Sequence, residues 1–192
     1  MSTTRSTDDE PMTVSIDRFN DLTETEVRKL LVRCLAVERW VDEVASGRPY
    51  VDQVDARAQA SQSAQQLSDK ELAGALARHP RIGDKLPLDD AEAAQSSREQ
   101  SGVDEDEATS AALRQGNLAY EGRFDRVFLI RAAGRSADEI LSELKRRLGN
   151  DEKTEREETG TQLREIALLR LDAVLEHGST QERSSTLDVG GP

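Results

Sequence analysis

Apolar side chains recur at intervals of three and four residues along most of this chain, and this helical period is the strongest constraint on its fold. In the clearest stretch they stand at positions 27, 30, 31, 34 and 35, so that all of them share one face of an α-helix. Thr23 and Glu26 have the spacing of a capping box at its start. The same face continues through Val44 toward Gly47, before Pro49 breaks the pattern. We therefore expect one long helix in this region.

Two further capping boxes, Ser68 with Glu71 and Ser136 with Glu139, mark the starts of other helices. Asn150 is expected to cap a last long helix. Weaker patterns predict helices over about 52–67, about 90–101, and from the acidic run 104–107 to about 123. The sequence shows neither an internal repeat nor an alternation of strands with helices. We therefore predict an all-α, single-domain bundle of about seven or eight helices.

A continuous apolar run, Val127–Ile130, interrupts the helical period. The run has the length of a strand and is too short for a helix, yet the sequence offers no partner strand. We predict that it forms a buried extended connection.

The two ends of the chain are rich in polar residues and short of apolar side chains. Such segments cannot bury enough surface to offset the entropy that ordering them costs. We expect disordered tails at 1–15 and 177–192, and one helical domain over 16–176.

The charge of the chain excludes several classes of partner. The sequence has 26 Lys and Arg against 38 Asp and Glu, a net charge of -12. An acidic surface repels phosphate backbones and anionic headgroups, so we expect neither nucleic acid nor a membrane as partner. Cys34 is the single cysteine, and no stretch is apolar enough for a bilayer span or a secretory signal. We expect a soluble, cytoplasmic protein.

The usual cofactor motifs are missing from the sequence. It contains no phosphate loop, no dinucleotide-binding glycine pattern after a strand and no HExxH. With only His79 and His177 available, a zinc site would depend mainly on carboxylates, which is uncommon. A Ser-His-Asp triad would need His79, and no GxSxG elbow presents a serine to it. We expect no metal and no cofactor, so that any catalysis depends on side chains alone.

His79 is the most informative single residue, because it stands at the predicted end of a helix, directly before Pro80. Proline restrains its own backbone and that of the preceding residue, which can hold the imidazole at the mouth of a cleft. An imidazole changes its charge near neutral pH and is therefore suited to proton transfer. The alternative is a surface helix cap, whose positive charge the helix dipole stabilises.

Glu99 and Arg170 are the other two candidates for a functional role. Ser96 precedes Glu99 by three residues, so on a helix both side chains address one ligand, although Glu99 alone is also typical of a solvated carboxylate. Arg170 interrupts the apolar face of the last helix, and a buried guanidinium needs an anionic partner. An internal carboxylate, the more common case, or an anionic substrate supplies that partner.

Short sequence blocks follow one another in a specific order between residues 15 and 176. They are Trp40 with Arg48-Pro49-Tyr50, His79-Pro80-Arg81-Ile82-Gly83-Asp84, Ser96–Gly102, the run of Asn117, Tyr120, Phe124 and Phe128, Ala133–Ser136 with Glu139-Ile140-Leu141, and Arg147–Asn150. In this order and spacing the blocks resemble the OHCU decarboxylases, which convert 2-oxo-4-hydroxy-4-carboxy-5-ureidoimidazoline (OHCU) to (S)-allantoin. The HPxIG and SxxEQ blocks carry most of the specificity.

The resemblance implies a carbon–carbon lyase of urate breakdown that needs no cofactor, binds an anionic ureidoimidazoline and forms a homodimer. It makes His79 the acid/base and Glu99 its partner carboxylate. It assigns contacts with the substrate to a further set of residues, namely Pro80, Ser96, Gln100, Ile130 and Arg170.

Two positions depart from the family pattern. Asp125 stands where Gly or Pro is expected, and Ser101 stands where Ala is common. No transthyretin-like segment accompanies the helical part, so the resemblance implies that another polypeptide carries out the preceding hydrolysis.

Two other functions compete with this interpretation. An acidic helical adaptor without enzymatic activity explains the charge and the helicity equally well, but not the order of the His79, Ser96 and Glu99 blocks. A helical hydrolase of a related ureide is the second rival, and it would release ammonia in place of carbon dioxide.

Overall fold

Eight α-helices follow one another in the part of the chain that the computed structural model describes, which is residues 13–79, 81–82 and 107–175. They are α1 (Ile16–Asp21), α2 (Glu24–Cys34), α3 (Glu38–Ser46), α4 (Gln53–Ser63), α5 (Asp69–Leu76), α6 (Glu107–Phe124), α7 (Ala137–Arg147) and α8 (Glu152–Val174). The one β-type pairing in these ranges is an isolated bridge between Val14 and Leu175. The predicted all-α class is confirmed.

The three predicted capping boxes are present. Thr23, Ser68 and Ser136 each accept a hydrogen bond from the backbone three residues later, and a glutamate there accepts one from the cap backbone in return. These reciprocal bonds satisfy donors that a helix start leaves open, and they fix where α2, α5 and α7 begin.

The start of the last helix was predicted one residue too early. Asp151, and not Asn150, caps α8, because its carboxylate accepts from the backbone N–H of Thr154. The Asn150 amide instead donates 2.7 Å to the Glu155 carboxylate. Because the Asn150 side chain is hydrogen-bonded to the buried Glu155 carboxylate, it does not cap the helix.

The long helix expected between residues 23 and 47 is two helices. The backbone is extended at Leu35 and Val37, and both side chains are buried. This break lets α3 pack back against α2, which a continuous rod would not allow. The apolar stripe persists in the sequence because both helices and the turn between them face the same core.

The first hydrophobic core lies among α1–α5 and the C-terminal part of α8. Helix α2 packs against α3 and α8, and α4 packs against the same two helices. The side chain of Trp40 is fully buried at the centre, and its indole N–H donates 2.9 Å to the Ala60 carbonyl. The large aromatic group is thus buried together with its one polar atom, which is hydrogen-bonded.

A second core lies between α6 and α7, and the extended run connects it to the first. Phe128 and Ile130 belong to the second core, whereas Val127 and Leu129 pack against the first. Alternate side chains of an extended backbone point in opposite directions, so one short segment contributes to both cores. The predicted buried extended connection is confirmed.

A buried carboxylate at the start of α8 holds the second core to that helix. Glu155 has no exposed surface, and it accepts 2.9 Å from Nε of Arg147 on α7. The Tyr120 hydroxyl on α6 and the Asn150 amide also donate to this carboxylate. A buried charge is tolerated only when it is paired and hydrogen-bonded, as it is here.

The Arg147 guanidinium is satisfied equally well. Its Nη1 donates 2.8 Å to the Leu129 carbonyl, and its Nη2 donates 3.0 Å to the Thr159 hydroxyl. The carbon of the guanidinium lies 4.8 Å from the centre of the Phe128 ring. Arg147 therefore joins α7 and α8 to the extended segment, with a cation–π contact in addition.

The folded region begins earlier than predicted. Val14 falls in the expected 1–15 tail, yet it is buried and its N–H donates 2.8 Å to the Val174 carbonyl. Residues 1–12 and 177–192 of the predicted tails, and the expected helix at about 90–101, lie outside the described residues. No helix in the described part is both long and apolar enough to cross a membrane.

The buried pair predicts a large difference between two neighbouring arginines. Arg147→Met would leave the Glu155 charge buried without its cation, and we expect it to lower the free energy of unfolding by about 3–5 kcal/mol. Arg146→Met removes a guanidinium that is half exposed and pairs with Glu143 and Glu158. We expect that control to cost at most about 1 kcal/mol in urea denaturation.

The double variant Arg147→Met/Glu155→Leu separates the charge from the packing. It strands neither charge, so we expect it to recover much of the stability that Arg147→Met loses. Equal losses for the two single arginine variants would contradict this account of the network.

The two tyrosines of the chain predict how stability changes in alkali. Burial raises the pKa of Tyr50 to about 12. Burial, followed by the hydrogen bond to Glu155, raises the pKa of Tyr120 to about 12 as well. Tyrosine in an unfolded chain has a pKa of about 10, so the folded state holds both protons more tightly than the unfolded state does. This contribution to stability is fully present below about pH 10 and is lost as the pH rises toward 12.

Ultraviolet titration of tyrosinate tests this directly, with Trp40 fluorescence reporting whether the protein stays folded. We expect no tyrosinate signal near about pH 10 while the fluorescence is native. A midpoint near the ordinary value in folded protein would show that neither hydroxyl is buried as described.

Candidate active site

His79 lies just beyond the C-terminal end of α5 and is partly buried. Its backbone N–H donates 2.9 Å to the Leu76 carbonyl, and its ring Nδ1 lies 2.9 Å from the Ala75 carbonyl. The last turn of α5 therefore holds both the backbone and the ring of this histidine.

The contact with Ala75 decides which ring nitrogen can exchange a proton. A carbonyl oxygen only accepts, so Nδ1 must carry the hydrogen in this bond. The neutral imidazole is then the Nδ1–H tautomer, and Nε2 is the atom that gains or gives up a proton. A ring held in one tautomer suits directed proton transfer, and the acid/base role of His79 stays a prediction.

The residues after His79 pass from the first core to the second. The Arg81 guanidinium forms an ion pair with Glu121 of α6, and the Ile82 carbonyl accepts 2.9 Å from the Asn117 amide of the same helix. The Ile82 side chain is buried in the second core. The described residues of the histidine block (residues 79–84), which are His79, Arg81 and Ile82, thus lie across the junction of the two cores.

Ile130, one of the residues predicted to contact the substrate, is buried in the same cluster as Ile82. Its neighbours in the extended run are fixed by side chains from α7 and α8. Arg147 donates to the Leu129 carbonyl, and the Arg131 N–H donates 2.9 Å to the Gln162 side chain. The structure therefore brings Ile130 and Ile82 of the histidine block into one core.

Arg170 lies on the buried face of α8, as the sequence indicated. Only 9% of its surface is exposed, and Ile166, Ala167 and Leu171 around it on the helix are buried. A guanidinium in that position suits an anionic substrate or an internal carboxylate, and both interpretations remain open.

Four of the proposed site residues fall outside the described part of the chain: Pro80, Ser96, Glu99 and Gln100. Their roles, including the pairing of Glu99 with His79, remain predictions. Within the described ranges, no group of three His, Cys, Asp or Glu side chains is placed to hold a metal ion.

The departure from the family pattern at Asp125 has a backbone explanation. This residue follows α6 and has φ 50, in the left-handed region that favours glycine. Aspartate is among the few other residues that adopt this region readily. The substitution therefore keeps the turn that a glycine would make, and the chain leaves α6 directly into the extended run.

The buried role of Arg147 was not predicted, although its position in the sequence indicates it. Arg147 follows Ile140 and Leu144 at intervals of seven and three residues, so it lies on the apolar face of α7. Arg170 was singled out by the same kind of position. The structure shows that such a position is compatible with a purely internal ion pair.

Comparisons with known proteins identify the family of this chain. The family model for OHCU decarboxylase matches residues 20–172. The uric acid degradation bifunctional protein of Bacillus sp. (strain TB-90) is 25% identical over 167 residues, which are 85% of this chain and 32% of that protein. The chain thus spans about a third of the length of this curated relative.

Two solved structures share the fold. One is a crystal structure of OHCU decarboxylase in the presence of (S)-allantoin, with a TM-score of 0.61 and 22% identity, covering 73% of this chain and 93% of that one. The other is (S)-allantoin synthase, with a TM-score of 0.62 and 15% identity, covering 84% and 54%. At these sequence identities the two structures show only that the fold is shared. Because the family model covers most of the chain, including His79, Ile130 and Arg170, the chain belongs to the OHCU decarboxylase family.

Proposed function

We propose that this protein decarboxylates OHCU to (S)-allantoin in the breakdown of urate, without a cofactor. The observation that carries the proposal is the family match over residues 20–172, a range that contains every candidate site residue. The fixed tautomer of His79 adds a group prepared for proton transfer at the junction of the two cores.

The substrate itself can take up the electrons of the broken bond. When the carboxylate leaves as carbon dioxide, the electron pair of the carbon–carbon bond moves into the conjugated imidazoline ring. The ring nitrogen that receives this pair takes up a proton. The hydroxyl on the carbon that lost the carboxylate then gives up its proton as it becomes a carbonyl, and the ureido-bearing carbon gains one, so that each decarboxylation consumes one proton overall. The protein therefore has to orient the substrate and move protons, and no separate electron acceptor is required.

His79 and Glu99 manage these protons. Nε2 of His79 is the exchanging atom, because Nδ1 is bonded to the Ala75 carbonyl. Glu99 supplies the second proton-transfer group, in keeping with the family pattern. Delivery of a proton to one face of the planar intermediate sets the S configuration of the product.

The other site residues hold the anionic substrate. Arg170 and Ser96 bind its polar groups, since a guanidinium and a hydroxyl are both suited to carboxylate and ureido oxygens. Pro80, Gln100 and the backbone at Ile130 complete the contacts. The buried position of Arg170 supports this role, because an exposed arginine would bind an anion far more weakly.

We further propose that the protein works in the cytoplasm as a homodimer and binds neither nucleic acid nor membranes. The net charge of -12 supports the last two points through repulsion of anionic surfaces. Family resemblance supports the dimer.

Freshly generated OHCU provides the test of this activity. Loss of its ultraviolet absorbance together with circular dichroism of the allantoin formed measures stereospecific turnover. We expect His79→Ala and Glu99→Ala each to lower the rate about 10²–10⁴-fold, the usual contribution of a general acid or base. His177→Ala and Glu92→Ala are the matched controls and should retain turnover.

The products separate this function from its rivals. Release of carbon dioxide without ammonia supports a decarboxylase, whereas release of ammonia from OHCU or a related ureide would indicate the hydrolase. If adding the protein changes neither the rate nor the handedness of allantoin formation from OHCU, the result favours the adaptor.

A further inference from the structure

Helix α6 carries two side chains that bind residues 81–82, which follow His79 in the chain. Asn117 and Glu121 are four residues apart and lie on one face of the helix. The first donates to the Ile82 carbonyl, and the second pairs with the Arg81 guanidinium. Two successive residues of the histidine block are thus attached to successive turns of one helix.

Asn117 is the more buried of these two anchors. Only 4% of its surface is exposed, and its Nδ2 lies 2.9 Å from the Ile82 carbonyl. Its Oδ1 is also buried and accepts no hydrogen bond within the described part of the chain. Burial of a polar amide costs free energy unless it is hydrogen-bonded, and the one described bond of this amide goes to a loop backbone. Packing alone therefore does not account for an asparagine at this position.

The anchor is close to the imidazole along the chain. Ile82 is three positions after His79, and a chain of that length spans at most about 10 Å. On the other side the imidazole is bonded to the Ala75 carbonyl of α5. The ring of His79 is thus attached to α5, and the backbone of Ile82, three positions later, is attached to α6.

We propose that Asn117, together with Glu121, positions the His79 imidazole by fixing residues 81–82 to α6. The role rests on the proposed function, because it takes His79 as the group that transfers protons. Asn117 does not touch the reacting atoms in this account, and acts only through the placement of the histidine.

Asn117→Leu is the main variant, because leucine has a similar size and cannot donate to the Ile82 carbonyl. We expect kcat to fall about tenfold to hundredfold, the loss that a small misplacement of a catalytic group produces. KM should stay within about threefold, since the groups that bind the substrate are unchanged. Glu121→Ala removes the ion pair with Arg81 and so loosens residues 81–82. It should lower kcat at least about threefold, and it tests the proposal even if Asn117→Leu does not fold.

Asn20→Leu is the matched control in the first core. The Asn20 amide makes two bonds to the Tyr50 backbone, each 2.9 Å, so its loss should reduce the thermal midpoint at least as much as Asn117→Leu. Because Asn20 anchors a different segment, we expect the folded variant to keep its kcat.

Nuclear magnetic resonance of the imidazole nitrogens gives a readout that does not depend on activity. The chain has two histidines, so His177→Gln leaves His79 as the one imidazole. In this background we expect a single Nδ1–H tautomer for the neutral ring. Asn117→Leu and Glu121→Ala should produce a mixture of tautomers, and Asn20→Leu should not.

The outcomes distinguish the two proposals. A mixture of tautomers with a lower kcat supports the positioning role. An unchanged imidazole spectrum overturns it, whether or not kcat falls, and leaves the decarboxylase function to stand on the activity of the unmodified protein. If that protein does not act on OHCU but the imidazole responds to Asn117→Leu, the proposed function fails and the positioning of His79 stands.

Discussion

The Arg147–Glu155 pair is the interaction on which the arrangement of this molecule depends. It lies where α6, α7, α8 and the extended run meet, and both charges are buried. Burial of two charges is costly, and it is tolerable because every element around the pair contributes a hydrogen bond. If any of these elements moved, the pair would lose one of its buried hydrogen bonds. The pair therefore specifies how the second core is set against α8, in addition to any stability it provides.

That specification explains why the candidate site lies at a junction. The histidine block leaves α5 in the first core and reaches α6 in the second through Arg81 and Ile82. The extended run is shared between the same two cores, with Ile130 on the side of Ile82. A group placed between two cores is held more firmly than one on a single loop, because each core supplies an independent attachment. Such rigidity is what proton transfer to one face of an intermediate requires.

Local signals in the sequence predicted the fold well, and long-range ones did not. The capping boxes at Thr23, Ser68 and Ser136 and the extended run were predictable, because neighbours in sequence determine them. The break at residues 35–37 was not, since only the packing of α3 against α2 rewards it. For the site, the position of His79 before a proline makes it a candidate, and its role stays a prediction. The internal use of Arg147 could not be inferred, because a buried arginine shows the same pattern whether its partner is a glutamate or a substrate.

The central claim is that an imidazole and a carboxylate from distant parts of the chain face one ligand. A crystal structure of this protein with (S)-allantoin measures that most directly. The account predicts His79 Nε2 and the Glu99 carboxylate within hydrogen-bonding reach of the same bound molecule, about 3 Å from its polar atoms or reactive carbon. Allantoin bound elsewhere, or the two side chains on opposite sides of the protein, would contradict it.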